Sequence, residues 1–184
     1  MKFILLHGAY STPESNWFPW LSYELKKLGH EVFIPEFPTP ENQTLMNWKK
    51  VFKPYLEELD GETILIGHSL GAVFILRILE ELKTKVKVAF LVAGFIEKLG
   101  IEKFDSINSS FLKKGFDWGK IKSHCQKLVI ISAKDDPYVP IVQSDLLSQN
   151  LSSENIIFSK AGHFNIDSGY KKFSKLLKFI KQNI

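Results

Sequence analysis

The chain has 184 residues, about one domain's worth, and 45% of them are apolar, enough to fill one core. Lysine and arginine number 24 against 20 aspartate and glutamate, with both signs spread along the chain, so the net charge of +4 does not indicate a nucleic-acid partner. The single cysteine, Cys125, excludes an internal disulfide framework and any multi-cysteine metal site, and it agrees with a reducing, cytoplasmic setting.

The amino-terminal Phe3 to Leu6 is too short for the hydrophobic region of a signal peptide and reads as a buried strand. A helix is expected over Trp17 to Leu28, a strand over Val32 to Pro35, and a second helix over Leu45 to Leu59, which Pro54 should kink or split. Strand Thr63 to Ile66, helix Leu70 to Leu82 and strand Val86 to Ala93 follow. The longest apolar stretch, Val88 to Ile96, is about half of what a bilayer span requires, so a soluble protein without a membrane partner is expected. Residues 95–126 are weakly patterned and read as an insertion over the site, not as a separate domain. Strand Leu128 to Ser132, helix Val142 to Asn150 and strand Asn155 to Phe158 precede a final helix from about Ser168 to Lys181. That helix places Tyr170, Phe173, Leu176, Leu177 and Ile180 on one stripe and five lysines elsewhere, the pattern of a core-packed helix with a solvated outer face. Six short apolar runs alternating with helical stretches specify one α/β domain over 1–184, a parallel sheet covered on both faces.

The chemistry concentrates in Gly67-His68-Ser69-Leu70-Gly71, a Gly-x-Ser-x-Gly placed directly after a strand and directly before a helix. Such a turn is strained and leaves no room for side chains two positions to either side of the serine, so glycines stand there. Ser69 then projects as a nucleophile with a helix start behind it, and the Leu70 amide is free to donate to a developing oxyanion.

A serine needs a base, and position selects among the five histidines. His163, in Ala161-Gly162-His163-Phe164, follows the last strand at the carboxyl edge of the sheet, where catalytic groups gather. His7 should support the turn after the first strand, His68 should point away from Ser69, and His30 and His124 read as surface or loop residues. The imidazole needs an orienting carboxylate. Asp135 and Asp136 both follow the fifth strand. Asp136 is the better candidate because Pro137 and Pro140 pin its loop, which leaves Asp135 as a turn or capping residue. Glu97, after the fourth strand, is the rival.

The order Ser69, Asp136, His163, together with the strand-turn-helix motif, resembles the α/β-hydrolase superfamily. More narrowly the chain is similar to the small, lid-poor serine hydrolases related to retinoblastoma-binding protein 9. The matching pieces are His7-Gly8, the Trp17 and Trp20 helix start, Gly67 to Ala72, Phe116 to Ile121 with Trp118, Asp135-Asp136-Pro137 with Val139-Pro140, and Gly162-His163-Phe164. The resemblance implies a six-stranded parallel sheet in the order 2-1-3-4-5-6, no cofactor and no metal. It also implies a second oxyanion amide after His7-Gly8, with Ala9 the candidate and Tyr10 the reserve. A retinoblastoma-binding role is not implied, because the Leu-x-Cys-x-Glu it requires is missing around Cys125, where Ser123 and Lys127 stand.

The expected activity is therefore that of a carboxylesterase-like serine hydrolase, acting on a small-molecule ester, thioester or amide through an acyl-enzyme on Ser69. Tyr10, Trp17, Phe116, Trp118 and Phe164, with Phe18 and Phe95, are candidates to wall an acyl pocket. A monomer or weak homodimer is expected. Two alternatives stay open: an acyltransferase, in which an alcohol or amine resolves the same intermediate, and a binding or scaffold module on a hydrolase fold.

Overall fold

Every apolar run becomes a strand, and every pairing between neighbours is parallel. In the computed structural model, which describes residues 1–184, the strands are β1 (Lys2–Leu6), β2 (Glu31–Phe33), β3 (Thr63–His68), β4 (Val86–Val92), β5 (Cys125–Ala133) and β6 (Asn155–Phe158). They form one sheet in the order β2-β1-β3-β4-β5-β6. Period-two alternation splits the interior into two cores. Ile4, Leu6, Leu65, Leu91 and Ile130 face one side, while Phe3, Leu5, Ile64, Phe90 and Ile131 face the other.

Helices α1 (Phe18–Lys27) and α7 (Ser174–Lys181) cover the second of these faces through Phe18, Leu21, Leu25, Leu176 and Ile180. The first is covered by α2 (Leu45–Leu56), α3 (Leu70–Leu79), α4 (Glu102–Leu112), α5 (Trp118–Ser123) and α6 (Ile141–Leu151). All ten residues of α3 are buried, which accounts for its nearly unbroken apolar sequence. No helix is long and apolar enough to cross a membrane.

Three elements differ from the sequence expectation. Helix α2 is not split in two: it runs through Pro54 and stops at Leu56, so the hydrogen bond the proline removes lies in the closing turn. The last helix starts at Ser174, not near Ser168; residues 166–168 form a single 3-10 turn that ends at Gly169 in the left-handed region. Tyr170 and Phe173 are apolar for another reason, since both rings pack on Phe164. Within 95–126, two helices appear where no pattern was assigned. Phe111 of α4 and Ile121 of α5 both enter the core.

Arg77 holds this segment down. Its guanidinium lies on the apolar helix α3, 4% exposed, and donates to the carbonyls of Phe111 at 2.8 Å, Gly115 at 3.2 Å and Lys114, while pairing with Glu80 at 2.9 Å. It also sits 3.7 Å over the Phe116 ring. Those three carbonyls lie at and beyond the end of α4, where backbone acceptors have no intrahelical donor. Arg77→Leu is therefore expected to lower stability by about 3–5 kcal/mol, because it leaves the buried Phe111 carbonyl without its donor and the largely buried Glu80 carboxylate without its cation. Thermal unfolding of the variant checks this, and a change in Tm of only a degree or two would contradict it.

Candidate active site

Ser69 occupies the one-residue turn between β3 and α3 with φ 55° and ψ −120°, a conformation that costs a non-glycine residue about 1–3 kcal/mol. Its own N–H donates to the Val92 carbonyl at 2.8 Å and ties the turn to β4. The flanking glycines answer to backbone contacts. A Cβ on Gly67 would lie 2.5 Å from the Gly71 carbonyl oxygen, and one on Gly71 would overlap the Leu6 carbonyl of β1. Ser69 is partly exposed, at the floor of a cavity at the carboxyl edge of the sheet.

His163 lines the same cavity. Its Nδ1–H donates to Asp136 Oδ2 at 2.8 Å, and the Asp136 side chain is only 2% exposed. The other Asp136 oxygen, Oδ1, accepts the N–H groups of Tyr138 at 2.9 Å and Val139 at 3.0 Å, so both oxygens have fixed tasks. With the proton on Nδ1, Nε2 of the neutral ring is an acceptor.

Two further side chains hold the backbone that carries His163. Asp135 Oδ1 accepts from the amides of Ala161 at 2.8 Å and Gly162 at 3.0 Å, and these bonds keep its carboxyl below the usual range. The neighbouring carboxylates thus divide the work: Asp136 fixes the ring and Asp135 fixes its loop. His68, which the sequence reading turned away from Ser69, donates Nε2–H to the carbonyl of His163 at 2.7 Å, with the two rings 4.8 Å apart. Burial pushes the His68 imidazole down to about 3, so it stays neutral and its Nδ1 is an unpartnered acceptor. Nothing in the Gly-x-Ser-x-Gly pattern itself carries this contact, because its partner lies far along the chain.

The remaining histidines are structural. His7 bridges the turn, donating Nδ1–H to the Gly8 carbonyl at 2.9 Å and accepting the Phe37 N–H on Nε2 at 3.0 Å. His124 donates to the Leu79 carbonyl at the end of α3, at 2.8 Å, and His30 packs on Phe3. Glu97 is exposed at the surface, and its backbone N–H donates to Gln143.

The Leu70 N–H is at the first position of α3, beyond reach of any intrahelical carbonyl. The Gly8-Ala9 segment runs against Ser69: a Cβ on Gly8 would meet Ser69 Cβ at 3.0 Å. The Tyr10 N–H is already taken by Thr39 Oγ1 at 2.7 Å, which leaves Ala9 as the better placed of the two expected donors.

The cavity measures about 590 Å³. Of the aromatic residues expected to wall it, only Tyr10 does so. Trp17 is fully buried beneath the site, where its indole N–H donates to the Phe164 carbonyl at 3.0 Å. Phe164 is equally buried, stacked on Phe173. Phe18 and Phe95 are core residues, and Phe116 and Trp118 pack against each other beside Arg77. Burial of large rings is stabilising enough to claim most of them for packing. The cavity is walled instead by Leu99, Lys103, Phe104 and Asn108 from the 95–126 segment, and by Tyr138 and Val139. Edge-to-face contacts run from Tyr10 to Phe104 at 6.0 Å, Phe104 to Tyr138 at 5.5 Å and Tyr138 to His163 at 5.1 Å, so Phe104 bridges the two sides of the cleft. The signal for α4 was present in the spacing of Phe104, Ile107 and Phe111, which repeats at helical intervals behind an acidic first turn.

The serine hydrolase family model matches residues 3–182. The Bacillus subtilis protein YdeN is 31% identical over 169 residues, covering 90% of this chain and 87% of that protein. The crystal structure of the ydeN gene product superimposes with a TM-score of 0.89 over 99% of this chain and 97% of that one, at 27% identity. Serine hydrolase RBBP9 of Rattus norvegicus is 25% identical over 179 residues, 95% of this chain and 90% of that protein. With an α/β-hydrolase sheet, a Gly-x-Ser-x-Gly turn between strand and helix and a family match over nearly its whole length, the chain belongs to the serine hydrolases.

Proposed function

We propose that this serine hydrolase cleaves a small carboxylic ester, thioester or amide, esters foremost, through an acyl-enzyme on Ser69, with His163 as base and Asp136 as its orienting acid. The observation that carries this reading is the 2.8 Å bond from His163 Nδ1 to a buried carboxylate, on a loop that shares the cavity of Ser69. In that tautomer Nε2 takes the Ser69 proton as Oγ attacks the carbonyl carbon. The amides of Leu70 and Ala9 receive the developing oxyanion. His163 returns the proton to the departing alcohol, thiol or amine, and water activated by the same imidazole releases the acid and frees Ser69. Asp136 stabilises the imidazolium that exists between these transfers.

Intact-mass analysis after incubation with a fluorophosphonate tests the reading. A single adduct is expected on the wild type, absent in Ser69→Ala and strongly slowed in His163→Ala. A folded wild type that takes up no adduct would refute the proposal and favour a binding module.

A further inference from the structure

Among the cavity-wall residues without a part in the proposed mechanism is a largely buried amide. Asn108 lies on α4, one turn beyond Phe104, and is 2% exposed, that remainder opening on the cavity it lines. A hydrogen-bond relay fixes which way its amide points. The Tyr10 N–H donates to Thr39 Oγ1 at 2.7 Å, the Thr39 hydroxyl donates to Gln43 Oε1, and Gln43 Nε2 donates to Asn108 Oδ1 at 2.8 Å. Gln43 is itself 5% exposed. The relay thus starts on the loop beside the nucleophile and ends by occupying the acceptor end of Asn108. Its Nδ2 group makes no hydrogen bond within the protein, although Asn108 is buried. The group is reached from the cavity and the relay sets its direction, so a ligand acceptor would meet a pre-oriented donor there.

We infer that Asn108 Nδ2 is a substrate-binding donor and that the enzyme takes esters carrying a further, uncharged oxygen acceptor such as a ketone, ether or hydroxyl. This rests on the hydrolase reading above and names its substrate class. Charge balance favours an uncharged acceptor: the cavity is lined by Lys103 and Lys171 but equally by Glu14 and Asp167, and none of the four is ion-paired. Phe104, one turn before Asn108 on α4, and Tyr138 add apolar wall to the same cavity, so the acceptor is read on a substrate that also carries apolar surface.

The test compares chromogenic aryl esters of hexanoic acid with aryl esters of the 3-oxo, 4-oxo and 5-oxo acids of equal length, each rate corrected for spontaneous hydrolysis. For the wild type, at least one oxo ester is expected to exceed hexanoate in kcat/KM by about 10-fold, the value of one hydrogen bond in a desolvated site. Asn108→Asp keeps the acceptor for Gln43 and replaces the donor, and Asn108→Leu removes both; in either, the ratio should fall to about 1. Two variants are used because one can fail to fold. A wild-type ratio near 1 for all three oxo esters, or a ratio retained in a folded variant, overturns the inference. Fluorophosphonate labelling of Ser69 is run beside these assays. Labelling together with hexanoate turnover and no oxo preference overturns the substrate class alone, as does labelling without turnover of any ester. No labelling and no turnover overturn both readings.

Discussion

Asp136→Asn is expected to lower kcat by about 10⁴-fold, while Asp135→Asn keeps kcat within about 10-fold of the wild type. The difference comes from the partners each carboxylate already has. Asp136 Oδ1 accepts two backbone N–H groups, from Tyr138 and Val139, so an asparagine there keeps its carbonyl oxygen on them and must turn its NH₂ toward His163. A donor facing Nδ1 forces the imidazole proton onto Nε2, and the ring can no longer accept the Ser69 proton. The loss should therefore fall on kcat, with KM little changed. Asp135 uses one oxygen, Oδ1, to accept from Ala161 and Gly162, and the amide oxygen of asparagine can do the same. Steady-state kinetics on a single ester checks both variants. Equal losses would mean that the orienting acid has been misassigned.

Gly71→Ala is expected to yield no folded protein. The added Cβ would be driven into the Leu6 carbonyl oxygen and would lie 2.7 Å from that of His7. Both obstacles are backbone, and Leu6 is held in register against Gly67 by the β1–β3 pairing, so neither side can move without parting the centre of the sheet. A displacement of that kind costs more than about 4 kcal/mol, and every pairing lost at the centre of the sheet adds to it, against the roughly 5–15 kcal/mol that holds an ordinary domain together. Gly115→Ala is the control, because a Cβ there meets nothing within 4 Å, and its Tm should stay within a few degrees of the wild type. Circular dichroism of the two purified variants decides the matter. A cooperatively unfolding Gly71→Ala would show that β1 can yield at this crossing.

The strands and the three candidate residues of the site were legible because their signals are local. Apolar runs such as Thr63 to Ile66 announce a doubly covered sheet, and Ser69, Asp136 and His163 stand in the turns that follow the carboxyl ends of β3, β5 and β6. What was not legible depends on partners distant in the chain. His68 and His163 are 95 positions apart, and only the fold shows that the first anchors the second. Arg77 gives no sign in its apolar helix that its carbonyl partners lie between Phe111 and Gly115. The aromatic residues misled in a consistent way. Trp17 and Phe164 are close in sequence to the expected site, which suggests walls, but rings of that size lie under the site, where burial contributes more. The final helix is shorter than its spacing suggests for a related reason: Tyr170 and Phe173 fit its stripe, yet they pack on Phe164 from an irregular segment.

The strand order bears on how the chain emerges during synthesis. Strand β1 lies between β2 and β3, and β4, β5 and β6 are then added outward in chain order, so the amino-terminal half can assemble its pairings before the rest exists. Ser69 and its strained turn belong to that early half, whereas the loop bearing His163 follows the outermost strand. A nascent chain halted before residue 160 would hold a serine with neither its base nor the backbone contact from His68 to His163. On the mechanism proposed above, reactivity arrives last, when the edge strand docks, and incomplete translation products are chemically silent.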